Sequence, residues 1–221
     1  MSRCTGCRTN GIFSGNPEKQ LTIFIQEKSM KTIFIFIIIF TTTLLSQTLQ
    51  KGEHVDTTKT GLVTIETSMG KIVIQLNDEA APKHSANFRK LAQDGFYENT
   101  TFHRVIPQFM IQGGDPNSKD DDRSNDGMGG PDYRIDAEIG LPHERGVIAA
   151  ARQGDMVNPE KKSNGSQFYI TVVPTPHLDG EYSVFGKVVE GMDVVDKIVA
   201  VPKDGRDNPI EKVIIKKVTV K

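Results

Sequence analysis

The chain has 221 residues, 37% of them hydrophobic, and balances 27 Lys and Arg against 28 Asp and Glu. That length allows one large domain or two small ones. The even charge leaves no basic footprint for nucleic acid, and with only two cysteines the chain has no disulfide framework to rely on.

Residues 1–29 show neither helical nor strand periodicity, and they contain both cysteines, Cys4 and Cys7. A Cys-x-x-Cys pair reads as a zinc or redox site only with a second pair, matching histidines or a βαβ context, and none lies nearby. At Met30-Lys31 the pattern changes to a cation, an apolar run from Ile33 to Phe40, three threonines, Leu44-Leu45 and then Ser46. The 13 residues from Ile33 to Leu45 have the length of a signal-peptide h-region, and they are short for a membrane span, which needs about 20. Residues 1–29 are therefore expected to be an upstream artefact or disordered. Residues 30–46 are expected to be a signal peptide or, if uncleaved, an N-terminal membrane anchor, and residues 47–60 a linker. Residues 1–46 hold Arg3, Arg8, Lys19, Lys28 and Lys31 against Glu18 and Glu27, which leaves the remainder with 22 cations, 26 carboxylates and a net charge of −4. An exported protein, periplasmic or secreted, follows from this layout.

Residues 61–221 read as one domain, mostly strand. Residues 62–66 and 71–76 alternate apolar and polar around Ser68-Met69-Gly70, the pattern of a hairpin. Residues 81–95 place Pro early, Ala86, Phe88, Leu91 and Ala92 at helical spacing, and Gly95 at the end, which predicts a helix. Strands are expected at 102–106 and 109–112, and the polar, Gly-rich stretch 115–132 is a loop. Further strands are expected at 146–151, 167–173, 183–189 and 210–220, a polar loop at 155–164, and a second helix at 192–200. Strands dominate and no repeat or internal linker appears. A closed antiparallel barrel, which removes exposed edges, suits this inventory.

The run Phe102-His103-Arg104-Val105-Ile106-Pro107-Gln108-Phe109-Met110-Ile111-Gln112-Gly113-Gly114-Asp115 carries the chemistry. It sets one permanent cation, a rigid fork of five donors, among large apolar side chains and an amide. Strict alternation would send Phe102, Arg104 and Ile106 to one face of the sheet, and Phe109 and Ile111 to the face opposite Met110 and Gln112. No metal is expected. His84, His103, His143 and His177 fall in different elements without ligand spacing, and Asp120-Asp121-Asp122 with Asp126 lacks the loop and terminal Glu of a calcium site.

With Asn164-Gly165-Ser166-Gln167-Phe168-Tyr169-Ile170, Leu178-Asp179-Gly180 and Val184-Phe185-Gly186-Lys187-Val188, this run resembles the cyclophilin family of peptidyl-prolyl cis-trans isomerases, in order and spacing, from about Leu62 to Val220. The resemblance implies a mainly β fold: a closed eight-stranded antiparallel barrel capped by two α-helices. It implies Arg104 as the donor to the prolyl nitrogen, Phe109, Met110, Tyr169 and Leu178 as the pocket for the ring, and Gln112 on the neighbouring carbonyl. Ala151 and Arg152 match the strand that pairs with the substrate backbone, where the family usually has Ala-Asn. His177 stands at the rim in place of Trp, and Tyr182 in place of His. The implied partners are proline-containing polypeptides, bound by a monomer without cofactor or metal. The alternative is a proline-peptide binding or chaperone module on the same barrel with little turnover.

Overall fold

The computed structural model describes residues 61–221. The expectations for residues 1–29, 30–46 and 47–60 lie outside them. Eight strands run in chain order: β1 (Leu62–Thr67), β2 (Gly70–Leu76), β3 (Arg104–Ile106), β4 (Met110–Gly113), β5 (Val147–Ala150), β6 (Phe168–Thr171), β7 (Val184–Glu190) and β8 (Ile215–Val220). Helix α1 (Pro82–Gln93) follows β2, and helix α2 (Met192–Val199) follows β7. The strands form one antiparallel sheet in the order β3-β4-β6-β5-β7-β2-β1-β8.

Local chemistry explains the elements. The β1–β2 turn is closed by the Thr67 hydroxyl, which donates to the Gly70 carbonyl at 2.8 Å and accepts from the Met69 N–H at 3.0 Å. Pro82 opens α1, where its missing N–H costs nothing. Phe88 on the buried face of α1 packs against Tyr97, Phe168 and Phe185, with ring centroids 5.0–5.4 Å apart. Burying one such ring contributes about 1.5–3 kcal/mol. Helix α2 buries Val194, Val195, Ile198 and Val199 and begins after Gly191, whose φ of 90° and approach to Lys71 leave no room for a side chain.

The sheet curls but does not close, which corrects the expected closed barrel. Among the described residues no ladder joins β3 to β8. Their flanking segments meet at the single bridge Thr101↔Ile214, supported by Phe102 N–H to the Val213 carbonyl at 3.0 Å. The reason is local: the outer edge of β3 is taken by a loop, with Val105 N–H donating to the Asp207 carbonyl at 2.8 Å. The strands expected at 102–106 and 210–220 are shorter, Arg104–Ile106 and Ile215–Val220.

Alternation sorts side chains into two apolar sets. Ile111, Ile148, Phe168 and Ile170 point into the curl with Phe88, Phe102 and Phe185. Met110, Ala149, Tyr169 and Val184 point outward, with Phe109, Leu178 and Tyr182 packed against them. Two face assignments read from the sequence change. Phe102 precedes β3 and lies in the inner core rather than beside Arg104. Phe109 sits with Met110, not with Ile111. The turn before it explains this: Phe109 N–H bonds the Ile106 carbonyl at 3.1 Å, with Pro107 second and Gln108 third at φ 59°. A left-handed residue at that turn position reverses the chain and resets the alternation.

Candidate active site

On the outer face the sheet carries a groove of about 240 Å³ lined by Arg104, Phe109, Met110, Gln112, Ala151, Arg152, Tyr169, Leu178 and Tyr182. Nine of the ten residues proposed from sequence thus share one cavity. His177 does not line it; its ring stacks on Phe109 at 5.9 Å.

Register puts the polar groups side by side. Arg104 pairs across β3–β4 with Gln112, and Gln112 across β4–β6 with Tyr169. The Arg104 side chain is 45% exposed, and its Nε lies 3.9 Å from Asp207 Oδ2. Its two terminal nitrogens have no acceptor among the described residues, so the tip of the fork is available to a ligand. Gln112 donates one amide hydrogen to Gln167 Oε1 at 3.0 Å, which leaves its second donor open. Gln167 is itself fixed, donating to the carbonyls of Gly127 at 2.9 Å and Gly129 at 2.7 Å.

The apolar floor is built on Met110 and Tyr169, both buried. Tyr169 hydroxyl meets His143 Nε2 at 3.0 Å, and His143 Nδ1 meets Asp179 Oδ1 at 2.9 Å. A carboxylate only accepts, so Nδ1 carries a proton; in the neutral ring Nε2 then accepts and the Tyr169 hydroxyl donates. Burial pushes the Tyr169 phenol far above its ordinary range. The hydrogen bond from the His143 ring holds the Asp179 carboxyl below its own. Tyr182 stands edge-on to Tyr169 at 5.8 Å.

Arg152 is a wall rather than a free cation. Its side chain is 4% exposed, pairs with Glu181 Oε2 at 3.0 Å and Asp155 Oδ1 at 2.5 Å, and lies 4.6 Å over the Tyr182 ring. Ala151 already uses both peptide groups, its N–H on the Gln167 carbonyl at 3.0 Å and its carbonyl on Asn164 N–H at 2.8 Å. Of the pair read as a backbone rail, only Arg152 keeps its peptide N–H and C=O open among the described residues.

Residues 62–220 match the family model described as cyclophilin type peptidyl-prolyl cis-trans isomerase/CLD. The chain belongs to the cyclophilin family. The Gibberella zeae protein named peptidyl-prolyl cis-trans isomerase-like 2 is 41% identical over 162 residues, 73% of this chain and 27% of that relative; the chain spans about a quarter of it. The Schizosaccharomyces pombe isomerase ppi1 is 41% identical over 159 residues, 72% of this chain and 98% of the relative. A crystal structure of a Cryptosporidium parvum cyclophilin type peptidyl-prolyl cis-trans isomerase aligns with a TM-score of 0.66 at 35% identity, over 73% of this chain and 97% of that one. The same protein was also solved in the presence of the dipeptide Ala-Pro.

This cyclophilin holds a second polar array that sequence reasoning missed. His84 Nδ1 lies 2.6 Å from Glu138 Oε2 and Nε2 lies 2.7 Å from Ser163 Oγ. The order is that of a nucleophile, base and acid, but Ser163 is 2% exposed and the cavity beside it holds about 20 Å³. No substrate fits there. Glu138 also accepts the N–H groups of Lys83 and His84, each at 3.0 Å, so the array pins the start of α1 to loop 135–138 and to Ser163. Gln167, His143 and Ser163 share one reason for being missed: each contacts residues 26 to 79 positions away in sequence.

Proposed function

We propose that the groove binds the ring and flanking peptide of a proline-containing polypeptide and accelerates rotation about the Xaa-Pro bond by stabilising the twisted amide electrostatically. Resonance gives the planar amide a barrier of about 18–20 kcal/mol. Twisting breaks that resonance and returns a lone pair to the imide nitrogen. A fixed cationic donor aimed at the nitrogen binds the twisted form better than either planar one, which is what lowers the barrier. In this reading Arg104 is that donor, Phe109, Met110, Tyr169 and Leu178 hold the ring, Gln112 holds the adjoining carbonyl, and Arg152 offers its backbone. The observation that carries the reading is the Arg104 fork, with its tip unpartnered, on the rim of an apolar outer-face groove.

Exchange NMR on a short Ala-Pro peptide tests this. The wild type should accelerate cis–trans exchange, and Arg104→Ala should reduce kcat/KM by about 10²–10³, the usual cost of one such donor. An unimpaired alanine variant would refute the role of Arg104. Binding without accelerated exchange in the wild type would move the protein to the binding-module class. We further propose that the protein assists folding of exported polypeptides as a monomer, a reading supported by the signal-like residues 30–46. Fractionation and N-terminal sequencing of the expressed protein decide it: a product beginning at residue 1 or 2 in the cytoplasm overturns it.

A further inference from the structure

A pocket of about 230 Å³ adjoins the proline groove and shares Arg104 and Gln112 with it. Its other walls are His103, Arg123, Asp126, Gly127, Arg206 and Asn208. Three guanidinium groups therefore line it against a single carboxylate. Asp126 is engaged by Asn208 Nδ2 at 2.6 Å. Asp207, which approaches Arg104, is paired with Lys203 at 2.6 Å, and Asp122 and Asp204, which lie within charge range of Arg206, do not line the pocket. Arg123 donates to the Ile210 carbonyl at 2.8 Å and to Asn208 Oδ1 at 3.4 Å, which occupies its donors but not its charge. Arg206 gives only Nη2, to the Arg123 carbonyl at 3.0 Å, and the rest of its fork is open among the described residues.

The second observation is His103. Its side chain is buried, at 4% exposure, and its only polar neighbour in hydrogen-bond range is the Thr101 backbone, too poorly aligned to satisfy either ring nitrogen among the described residues. Gly127 is what stands over Nε2: a Cβ built there would lie 3.7 Å from it. Burial and the nearby Arg104 charge lower the pKa of the ring more than Asp115, Asp126 and the Thr101 backbone raise it, so the ring is neutral and one of its nitrogens is a donor. Buried polar groups are normally satisfied, and this one borders a polar cavity.

We propose that this pocket is a second subsite that takes an acidic side chain carried by the substrate close to its proline. The inference rests on the isomerase reading, because the shared Arg104 and Gln112 make the two cavities continuous for one extended chain. A carboxylate matches the excess of cations and the open Arg206 donors with charge-assisted hydrogen bonds. A basic side chain would add a fourth cation to the same space.

The test compares Xaa-Pro peptides differing only by Glu, Gln or Lys at each flanking position. At one position the Glu peptide should exceed the Gln peptide about tenfold in kcat/KM, through KM, with Lys lowest, and the preference should shrink as salt rises. Arg206→Gln should bring the Glu-to-Gln ratio to about one. Equal rates at every position, or a preference that survives Arg206→Gln, overturns the subsite while leaving the isomerase reading standing. If no peptide turns over, amide shifts at His103, Gly127 and Arg206 on peptide titration decide it. Stronger shifts with Glu than with Gln uphold the subsite, and equal shifts overturn it.

Discussion

Replacing Tyr169 by Phe separates the floor of the groove from the hydrogen bond beneath it. The substitution keeps the ring and deletes a hydroxyl that meets His143 Nε2 at 3.0 Å, where the His143 side chain is 0% exposed. The deleted donor leaves a buried acceptor with nothing to replace it, a loss of about 1–3 kcal/mol. For a folded unit of this size each kcal/mol moves Tm by about 2–4 °C, so thermal unfolding followed by circular dichroism should show a fall of about 2–12 °C. The ring contact with Tyr182 survives, and kcat/KM on an Ala-Pro peptide should stay within about threefold, since no interaction made only in the twisted state is removed. In a His143→Leu background the same change should be neutral or stabilising, because the hydroxyl has already lost its acceptor. An unchanged Tm in the single variant would refute the hydrogen-bond argument. A tenfold loss of kcat/KM at constant Tm would show that the hydroxyl takes part in turnover.

Stability should rise with pH through the imidazole range. Burial holds His84 below its ordinary value, so the unfolded chain takes up that proton first and stability falls as pH drops through the imidazole range. Burial works against Glu138, but hydrogen bonds from the His84 ring and the Lys83 and His84 N–H groups outweigh it and keep the carboxyl low. Its contribution is present above the ordinary carboxylate range and is lost at more acid pH. Urea midpoints against pH check both, and His84→Gln should flatten the slope near neutrality. Gln108→Gly should stabilise the fold by up to about 1 kcal/mol, since it relieves a non-glycine residue at φ 59°; a lower urea midpoint would refute this. Phe88→Ala should cost about 3–5 kcal/mol through the cavity left among Tyr97, Phe168 and Phe185, seen as a large drop in the same midpoint without a change of secondary structure.

The strands and both helices were legible because each segment carries its own period. Phe168-Tyr169-Ile170 alternates and does put Tyr169 on the groove side alone. Phe109 was misplaced because its orientation is set by the left-handed Gln108, and glutamine gives no sign of positive φ as glycine would. Closure was overstated because alternation says nothing about which neighbour takes an outer edge, and Asp207 takes the edge of β3. The residues lining the groove could be named from contiguous motifs. What steadies them, Gln167 under Gln112 and His143 under Tyr169, could not, since those contacts join separate elements through side chains.

The placement of the groove on the outer face has a consequence for how such a protein can change. Along β6, Phe168 and Ile170 face the core while Tyr169 faces the groove. Neighbouring positions on one strand therefore answer to different pressures. Outward side chains can be exchanged to suit new polypeptides without opening a void inside, and inward ones can be tuned for robustness without reshaping the surface. Recognition and durability are written on alternate letters of the same short words.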